Sequence, residues 1–410
     1  MLFPAILKTI IRTGSLRLID GAGRVHVYGD GSSPNCTVRL RARHLDYILA
    51  LNPELSIGEA YMNGLLTIEE GTLYDVLEVA AKNFRNFERM PWFSLLSSVM
   101  RRLKQYNPID RARRNVAHHY DLSGQLYDLF LDRDRQYSCA YFTSPDDSLE
   151  TAQENKKRHI AAKLLLDRPN LNILDIGSGW GGLGLYLAEK AAADVTGVTL
   201  SVEQHKVSEA RAATAGLADQ AHFQLRDYRE VAGRYDRVVS VGMFEHVGKK
   251  SYDEFFAKLN GLLAEDGVAL LHAIGFSGAP TPINPFIRKY IFPGADLASL
   301  SEVFAAVERS GLIVTDVEIL RLHYAETLRH WRKRFMANWQ RVAALYDERF
   351  CRMWEFYLVL CEIGFRFRFM MVFQVQLAKQ SDAVPTTRDY MVDWERANTM
   401  VARRQMRAAE

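Results

Sequence analysis

Gly177, Gly179, Gly181 and Gly182 crowd one short turn, and their spacing is the first feature of this chain that can do chemistry. Without a Cβ in the way, a ligand can lie directly on backbone, and a helix starting behind the turn offers it N–H donors. Both suit a nucleotide-bearing cofactor; a plain tight turn in some other α/β protein is the alternative reading. A nicotinamide dinucleotide would want an acid about 20 residues further on to hold its ribose. The next strand, 194–199, instead ends in Thr199-Leu200-Ser201, with Glu203 and Gln204 opening the helix that follows. Hydroxyls and an amide can hold a ribose, so S-adenosylmethionine is the better candidate. Proton transfer has its candidates too. Glu245 and His272, with ordinary pKa values of about 4.3 and 6.5, are the right types to accept a proton. The adjacent His118 and His119 make a poor metal site, because neighbouring side chains on a helix point about 100° apart.

These residues need a scaffold that brings them together. Residues 172–176 alternate short apolar side chains and run into the glycine turn, as a buried parallel strand does, and 183–190 resumes with helical spacing. Further strands are predicted at 222–225, 237–241, 268–273, 313–320 and 367–377. The last two are separated by a long helical stretch rich in Trp, Arg and Tyr. Alternating strands and helices imply an α/β, doubly wound, mostly parallel sheet whose strand ends carry the ligand. Asp227, Phe244-Glu245-His246 and His272-Ala273-Ile274 fall at those ends. Upstream, Tyr137-Ser138-Cys139-Ala140-Tyr141-Phe142 is dense enough in polar and aromatic groups to be a lid over the crevice. Core burial is the plain alternative for Cys139.

Residues 1–105 read as a small α+β domain. Leu2, Ile6, Leu7 and Ile10 have helical spacing, and 15–20 and 25–28 form a hairpin around Gly21-Ala22-Gly23. A strand is predicted at 37–40, helices at 45–51 and 73–85, and a turn-rich connection at 58–64. A break at Tyr106-Asn107-Pro108 marks a basic linker over 106–114, which leaves 115–410 as the catalytic domain.

The composition, 48% hydrophobic and 25% charged over 410 residues, is that of an ordinary globular protein with room for two domains. Four scattered cysteines without a Cys-x-x-Cys pair argue against a zinc site or a disulfide framework and fit a reducing cytoplasm. No apolar run reaches the length of a membrane span. Net charge is only +3, yet basic residues gather at 101–114 and again at Arg329, Arg332, Lys333 and Arg334, beside Trp331 and Trp339. A solvated helix face is the plain reading of either cluster; docking on an anionic membrane surface is the functional one. No nucleic-acid motif accompanies the charge.

In this order the motifs are familiar: His118-His119-Tyr120-Asp121, Tyr137 to Phe142, Leu174-Asp175-Ile176-Gly177-Ser178-Gly179-Trp180-Gly181, Thr199-Leu200-Ser201, Asp227-Tyr228-Arg229 and Phe244-Glu245-His246-Val247-Gly248. Over about 115–325 the chain resembles the cyclopropane-fatty-acyl-phospholipid synthases and their relatives, the mycolic acid cyclopropane synthases. The resemblance implies the class I S-adenosylmethionine-dependent methyltransferase fold, with a seven-stranded sheet. It also implies transfer of a methylene to the cis double bond of an unsaturated acyl chain in a membrane phospholipid. Tyr137, Ser138, Asp175, Gly177, Gly179, Thr199, Leu200, Gln204 and Asp227 would then contact the cofactor. Cys139, Glu245, His272, Ile274 and Tyr324 would surround a bound bicarbonate that serves as base.

The reaction would pass through a carbocation, so the site must be dry, and Tyr141, Phe142, Phe276, Tyr290 and Tyr324 are aromatic faces available to stabilise it. The N-terminal domain looks like the extra domain of the phospholipid-acting members, which implies substrate presentation by a cytoplasmic protein lying peripherally on the inner face of the membrane. A homodimer is compatible with all of this. Two rivals share the scaffold: a fatty-acid C-methyltransferase leaving a methyl or methylene branch, and a non-catalytic lipid-binding protein.

Overall fold

In the computed structural model, which describes residues 2–88 and 123–399, the alternating residues near the amino terminus form a four-stranded sheet. Its strands are β1 (Ser15–Ile19), β2 (Val25–Gly29), β3 (Asn35–Leu40) and β4 (Leu66–Glu70), in the order β2-β1-β3-β4. β1 and β2 are the predicted hairpin, antiparallel with Leu16 opposite Tyr28. Leu16, Leu18, Val38 and Leu40 point inward onto the helices Leu2–Ile10, Leu45–Leu51 and Leu73–Lys82, the last opened by a capping box between Thr72 and Asp75.

The connection expected at 58–64 is mostly helix, Pro53–Met62. Gly58 suggested a turn, but it serves close packing: a Cβ there would come within 2.4 Å of the Phe286 ring and 2.8 Å of Phe356. Those two rings show what else belongs to this unit. It comprises Met1–Gln105, Thr281–Pro293 and Ala325–Met370, whereas the second unit comprises Tyr106–Pro280, Gly294–Tyr324 and Met371–Glu410. This division differs from the expected 1–105 and 115–410 in two excursions from the catalytic half, which carry buried Trp331, Trp354 and Phe356 into the first unit. The basic linker predicted at 106–114, the arginines around it and His118-His119 lie outside the described residues.

The second unit is the α/β domain. Its strands are β5 (Asn172–Ile176), β6 (Asp194–Thr199), β7 (Ala221–Leu225), β8 (Tyr235–Val241), β9 (Leu263–Phe276), the two-residue β10 (Ala298–Ser299), β11 (Ile313–Ile319) and β12 (Met370–Ala378). Seven of them follow the order β11-β12-β9-β8-β5-β6-β7, and β10 pairs with β9 off that path. All pairs from β9 to β7 are parallel, and β11 runs antiparallel to β12. The sheet is buried on both faces. Leu271 packs with Phe244, Phe255 and Phe373 on one side, and its neighbour Leu270 packs with Ile173, Leu187 and Val239 on the other. Such double burial is why these strands read as apolar runs. Strand order reverses at β5, and a ligand crevice opens outside the carboxyl ends at such a point.

Candidate active site

β5 ends in Asp175-Ile176, and the chain then turns through Gly177 (φ +85°) and Gly179 (φ +55°) into the helix Gly182–Ala191. Only glycine adopts these angles without strain. At Gly177 a Cβ would also strike Met243 at 2.8 Å. At Gly179 a Cβ would meet nothing nearer than a carbonyl oxygen at 4.0 Å, so a side chain there would project into open space. That space is a cleft lined by all nine predicted cofactor residues: Tyr137, Ser138, Asp175, Gly177, Gly179, Thr199, Leu200, Gln204 and Asp227. At the β6 tip Thr199 donates its hydroxyl hydrogen to Gln204 Oε1 at 3.1 Å. Across the cleft Asp227 is clamped by Arg229, whose Nε and Nη2 lie 2.9 and 2.7 Å from its two oxygens.

Two polar atoms in the cleft lack a partner. Ser178 Oγ and Asp175 Oδ2 are buried and unbonded among the described residues. Burial pushes the Asp175 carboxyl up to about 7, against the pull of Lys156. Lys156, Arg135, Trp180, Met243 and His246 also line the cleft. Burial drives His246 down to about 4, so its ring is neutral at physiological pH.

The five residues expected around the anion do not line this cleft, although Cys139 and Glu245 directly adjoin its lining residues Ser138 and His246 in the chain. Glu245 follows β8, with its Oε1 accepting the Ile274 N–H at 2.6 Å. Its Oε2 is buried without a partner among the described residues, and burial pushes the carboxyl up to about 7 although the Ile274 bond pulls the other way. The Ile274 backbone N–H is thus engaged by Glu245. His272 sits two residues before Ile274 on β9, the same side of the strand, with Nδ1 3.1 Å from the Gln374 side-chain amide of β12. Burial, reinforced by Lys156 and Lys163, pushes His272 down to about 3.

Cys139 is fully buried beside Ser138, its thiol 3.3 Å from the Ala140 carbonyl. Tyr324 is buried at the start of the helix His323–Ala337. Its neighbour His323 accepts the Phe142 N–H at 3.0 Å and stacks on Tyr141 at 4.7 Å. Tyr290 belongs to the first unit, where its hydroxyl donates to Glu59.

Comparison with known proteins decides what kind of site this is. Residues 108–375 match the family model for mycolic acid cyclopropane synthetase. The chain belongs to that family. It is thus an S-adenosylmethionine-dependent methyltransferase, and its fold is that of the class I enzymes. A cyclopropane-fatty-acyl-phospholipid synthase of Escherichia coli is 36% identical over 356 residues, 85% of this chain and 89% of that one. A tuberculostearic acid methyltransferase of Mycobacterium tuberculosis is also 36% identical, over 381 residues, 89% and 88% of the two chains. Among solved structures, a mycolic acid cyclopropane synthase complexed with SAH and CTAB has a TM-score of 0.62 at 34% identity, covering 66% of this chain and 99% of that one. Residues 15–90 match a domain of unknown function, DUF7884.

The cleft fits the family's cofactor. Gly179 leaves room for it, the β6 tip carries hydroxyl and amide groups, and two buried polar atoms await partners. Among the described residues no cluster could hold a metal ion, and no helix is long and apolar enough to cross a membrane.

Proposed function

We propose that the protein forms cyclopropane rings on unsaturated acyl chains of membrane phospholipids, with a bicarbonate ion held by Glu245, His272, Tyr324 and Cys139 as base. One observation carries this reading: Glu245 is buried with one oxygen fixed by Ile274 and the other unpartnered. A carboxylate oxygen in that position accepts a hydrogen bond from an O–H, and a bicarbonate hydroxyl is a small donor of the right kind. S-adenosylmethionine supplies the methyl electrophile; bicarbonate would supply a proton acceptor too small to be trapped outside a packed site. The residues named for the cofactor would hold it in line with the double bond, and such positioning can account for a large part of the rate.

The chain's own groups keep the site dry and its protons in order. His272, neutral at working pH because it is buried, presents its Nε2–H when Nδ1 accepts from Gln374. Tyr324 would offer a hydroxyl from the first turn of the helix His323–Ala337. Phe142 would supply an aromatic face, whereas the Tyr141 ring is already stacked on both His159, at 4.1 Å, and His323, at 4.7 Å. The first unit would present the lipid, with the protein lying peripherally on the inner face of the membrane. Within the basic helix at 329–334, Arg329 and Lys333 are exposed, whereas Trp331 and Arg332 are engaged within the unit. Trp331 is fully buried, and Arg332 is bonded to Glu362 and lies over the Tyr74 ring.

The test is mass spectrometry and NMR of lipids from cells expressing the protein, together with turnover in buffer freed of carbon dioxide. Cyclopropane signals and activity restored by added bicarbonate are expected. A methyl or methylene branch would favour the activity named for the tuberculostearic acid relative. Full turnover without bicarbonate would make Glu245 or His272 the base.

A further inference from the structure

Lys156 faces the cofactor cleft, and no motif in the sequence points to it. It lies midway along the helix Leu149–Lys163, in a charged run, Lys156-Lys157-Arg158, that reads as solvated surface. Its side chain is nevertheless only 1% exposed. Nζ donates to Ser138 Oγ at 2.8 Å and to Gln136 Oε1. Both partners are neutral.

Among the described residues no carboxylate forms an ion pair with it. Asp134 is taken by Lys157 and Arg211, and Asp132 accepts the backbone N–H groups of Asp134 and Gln136. Taking an ammonium out of water without an adjacent anion is costly. Burial accordingly pulls Lys156 down to about 8, although Asp132 and Asp134 act on it from a distance. One of its three hydrogens is left over after the two bonds. In the same cleft lies the opposite deficit, the unpartnered Oδ2 of Asp175. A buried cation short of an anion and a buried acid short of a donor, lining one cleft, suit a zwitterion.

We propose that Lys156 binds the carboxylate at the amino-acid end of the cofactor, while Asp175 takes the ammonium. This rests on the cofactor assignment above. Charge-assisted bonds of this kind are the strong ones, and here they form in a site shielded from water. The cleft would thus select the whole amino-acid end, beyond the adenosine that the glycine turn and the β6 tip accommodate. Bicarbonate is the other carboxylate-like anion to be considered, since Lys156 is also in electrostatic reach of Cys139 and His272.

The experiment is calorimetry on the full chain and on Lys156→Met, which matches lysine in length and leaves no buried charge. The ligands are S-adenosylhomocysteine and its decarboxylated analogue, which keeps the ammonium. The wild type should bind the analogue at least tenfold more weakly. Lys156→Met should lose at least tenfold in affinity for S-adenosylhomocysteine and hold the two ligands equally. A variant that still discriminates tenfold overturns the proposal, and so does an equal loss for both ligands, which would reduce Lys156 to a prop for Ser138 and Gln136. Unchanged S-adenosylhomocysteine binding with loss of the bicarbonate response would assign Lys156 to the smaller anion and overturn it likewise. Thermal denaturation checks folding, and Lys156→Gln, which can keep a bond to Ser138, should repeat the result. Failure of the wild type to bind S-adenosylhomocysteine is a separate outcome and would overturn the cofactor assignment itself.

Discussion

Around the glycine turn the cofactor cleft is shaped by backbone, with left-handed angles at Gly177 and Gly179 and a strand tip of short polar residues. The neighbouring cluster of Glu245, Ile274, His272 and Gln374 is shaped by buried polar side chains, two of which, Glu245 and Gln374, each leave one oxygen unpartnered among the described residues. Backbone shape tolerates little substitution and binds whatever fits it. Buried side chains cost stability and are kept for what they do, since an unsatisfied acceptor in a low-dielectric core is expensive. Damage to the first region should therefore abolish binding, whereas damage to the second should spare binding and remove turnover.

The largest effect is expected at Gly179→Val. A β-branched residue resists φ +55°, and its side chain would occupy the space left open there. S-adenosylhomocysteine binding should become undetectable by calorimetry in a variant that remains folded. Wild-type affinity would remove the turn from the cofactor site.

Glu245→Gln should act on the second region alone. The amide oxygen can still accept from Ile274, but the NH₂ replaces the unpartnered acceptor. Turnover should fall on the order of a hundredfold or more, with cofactor affinity unchanged. Stability should move the other way. The folded-state pKa is raised to about 7 from 4.5, so between those values the folded chain holds the proton more tightly than the unfolded chain. Glu245 thus costs stability progressively as pH rises through that window, and the full cost is present above it. The variant should melt higher than the wild type at pH 8, and the difference should vanish near pH 4. Equal melting temperatures at both pH values would mean that the carboxyl is solvated.

The same contrast explains what the sequence made legible. β5, the glycine turn and the β6 tip carry local signals, alternation and missing Cβ atoms, whereas Tyr137, Ser138 and Asp227 came only from the resemblance; the structure lines one cleft with all of them. Packing partners leave no such trace. Gly58 looked like a turn because nothing local announces Phe286 and Phe356 above it. Lys156 received no role because a charged run hides which of its members turns inward. Trp331 and Arg332 looked like a docking face because composition does not show that the indole is core and the guanidinium is paired with Glu362. The strand predicted at 367–377 is β12, Met370–Ala378, because the preceding helix carries its apolar spacing through Phe367. Gln374, a polar residue in an apolar strand, received no role at all.

A smaller loss is expected at Tyr324→Phe, which deletes one hydroxyl and keeps the buried ring. A hydrogen bond to a charged partner is worth about 1.5–3 kcal/mol, or roughly ten- to more than a hundredfold in rate if it persists in the transition state. Cofactor affinity should be unchanged, and the deficit should appear in kcat more than in KM. A loss confined to KM would move Tyr324 from the reacting centre to substrate binding.

The smallest effect, and the finest test of the contrast, is Gln374→Met. The side-chain amide of Gln374 lies 3.1 Å from His272 Nδ1, while its Oε1 is buried without a partner. Replacement deprives the imidazole of its donor, a cost of about 1–3 kcal/mol, but it also removes an unsatisfied acceptor of similar cost. The two nearly cancel, so the melting temperature should shift by no more than about 4 °C. Function does not cancel. With Gln374 donating to Nδ1, the neutral ring carries its proton on Nε2; without that donor both tautomers become populated, and only one presents the Nε2–H. Turnover should fall roughly twofold, as expected when two states of similar energy share the population, while S-adenosylhomocysteine binding stays at the wild-type value. Nitrogen-15 shifts of the His272 ring would read the tautomer directly. A ring still protonated only on Nε2 in the variant would show that something other than Gln374 fixes it, and the buried amide would then be a packing residue like its apolar neighbours on β12.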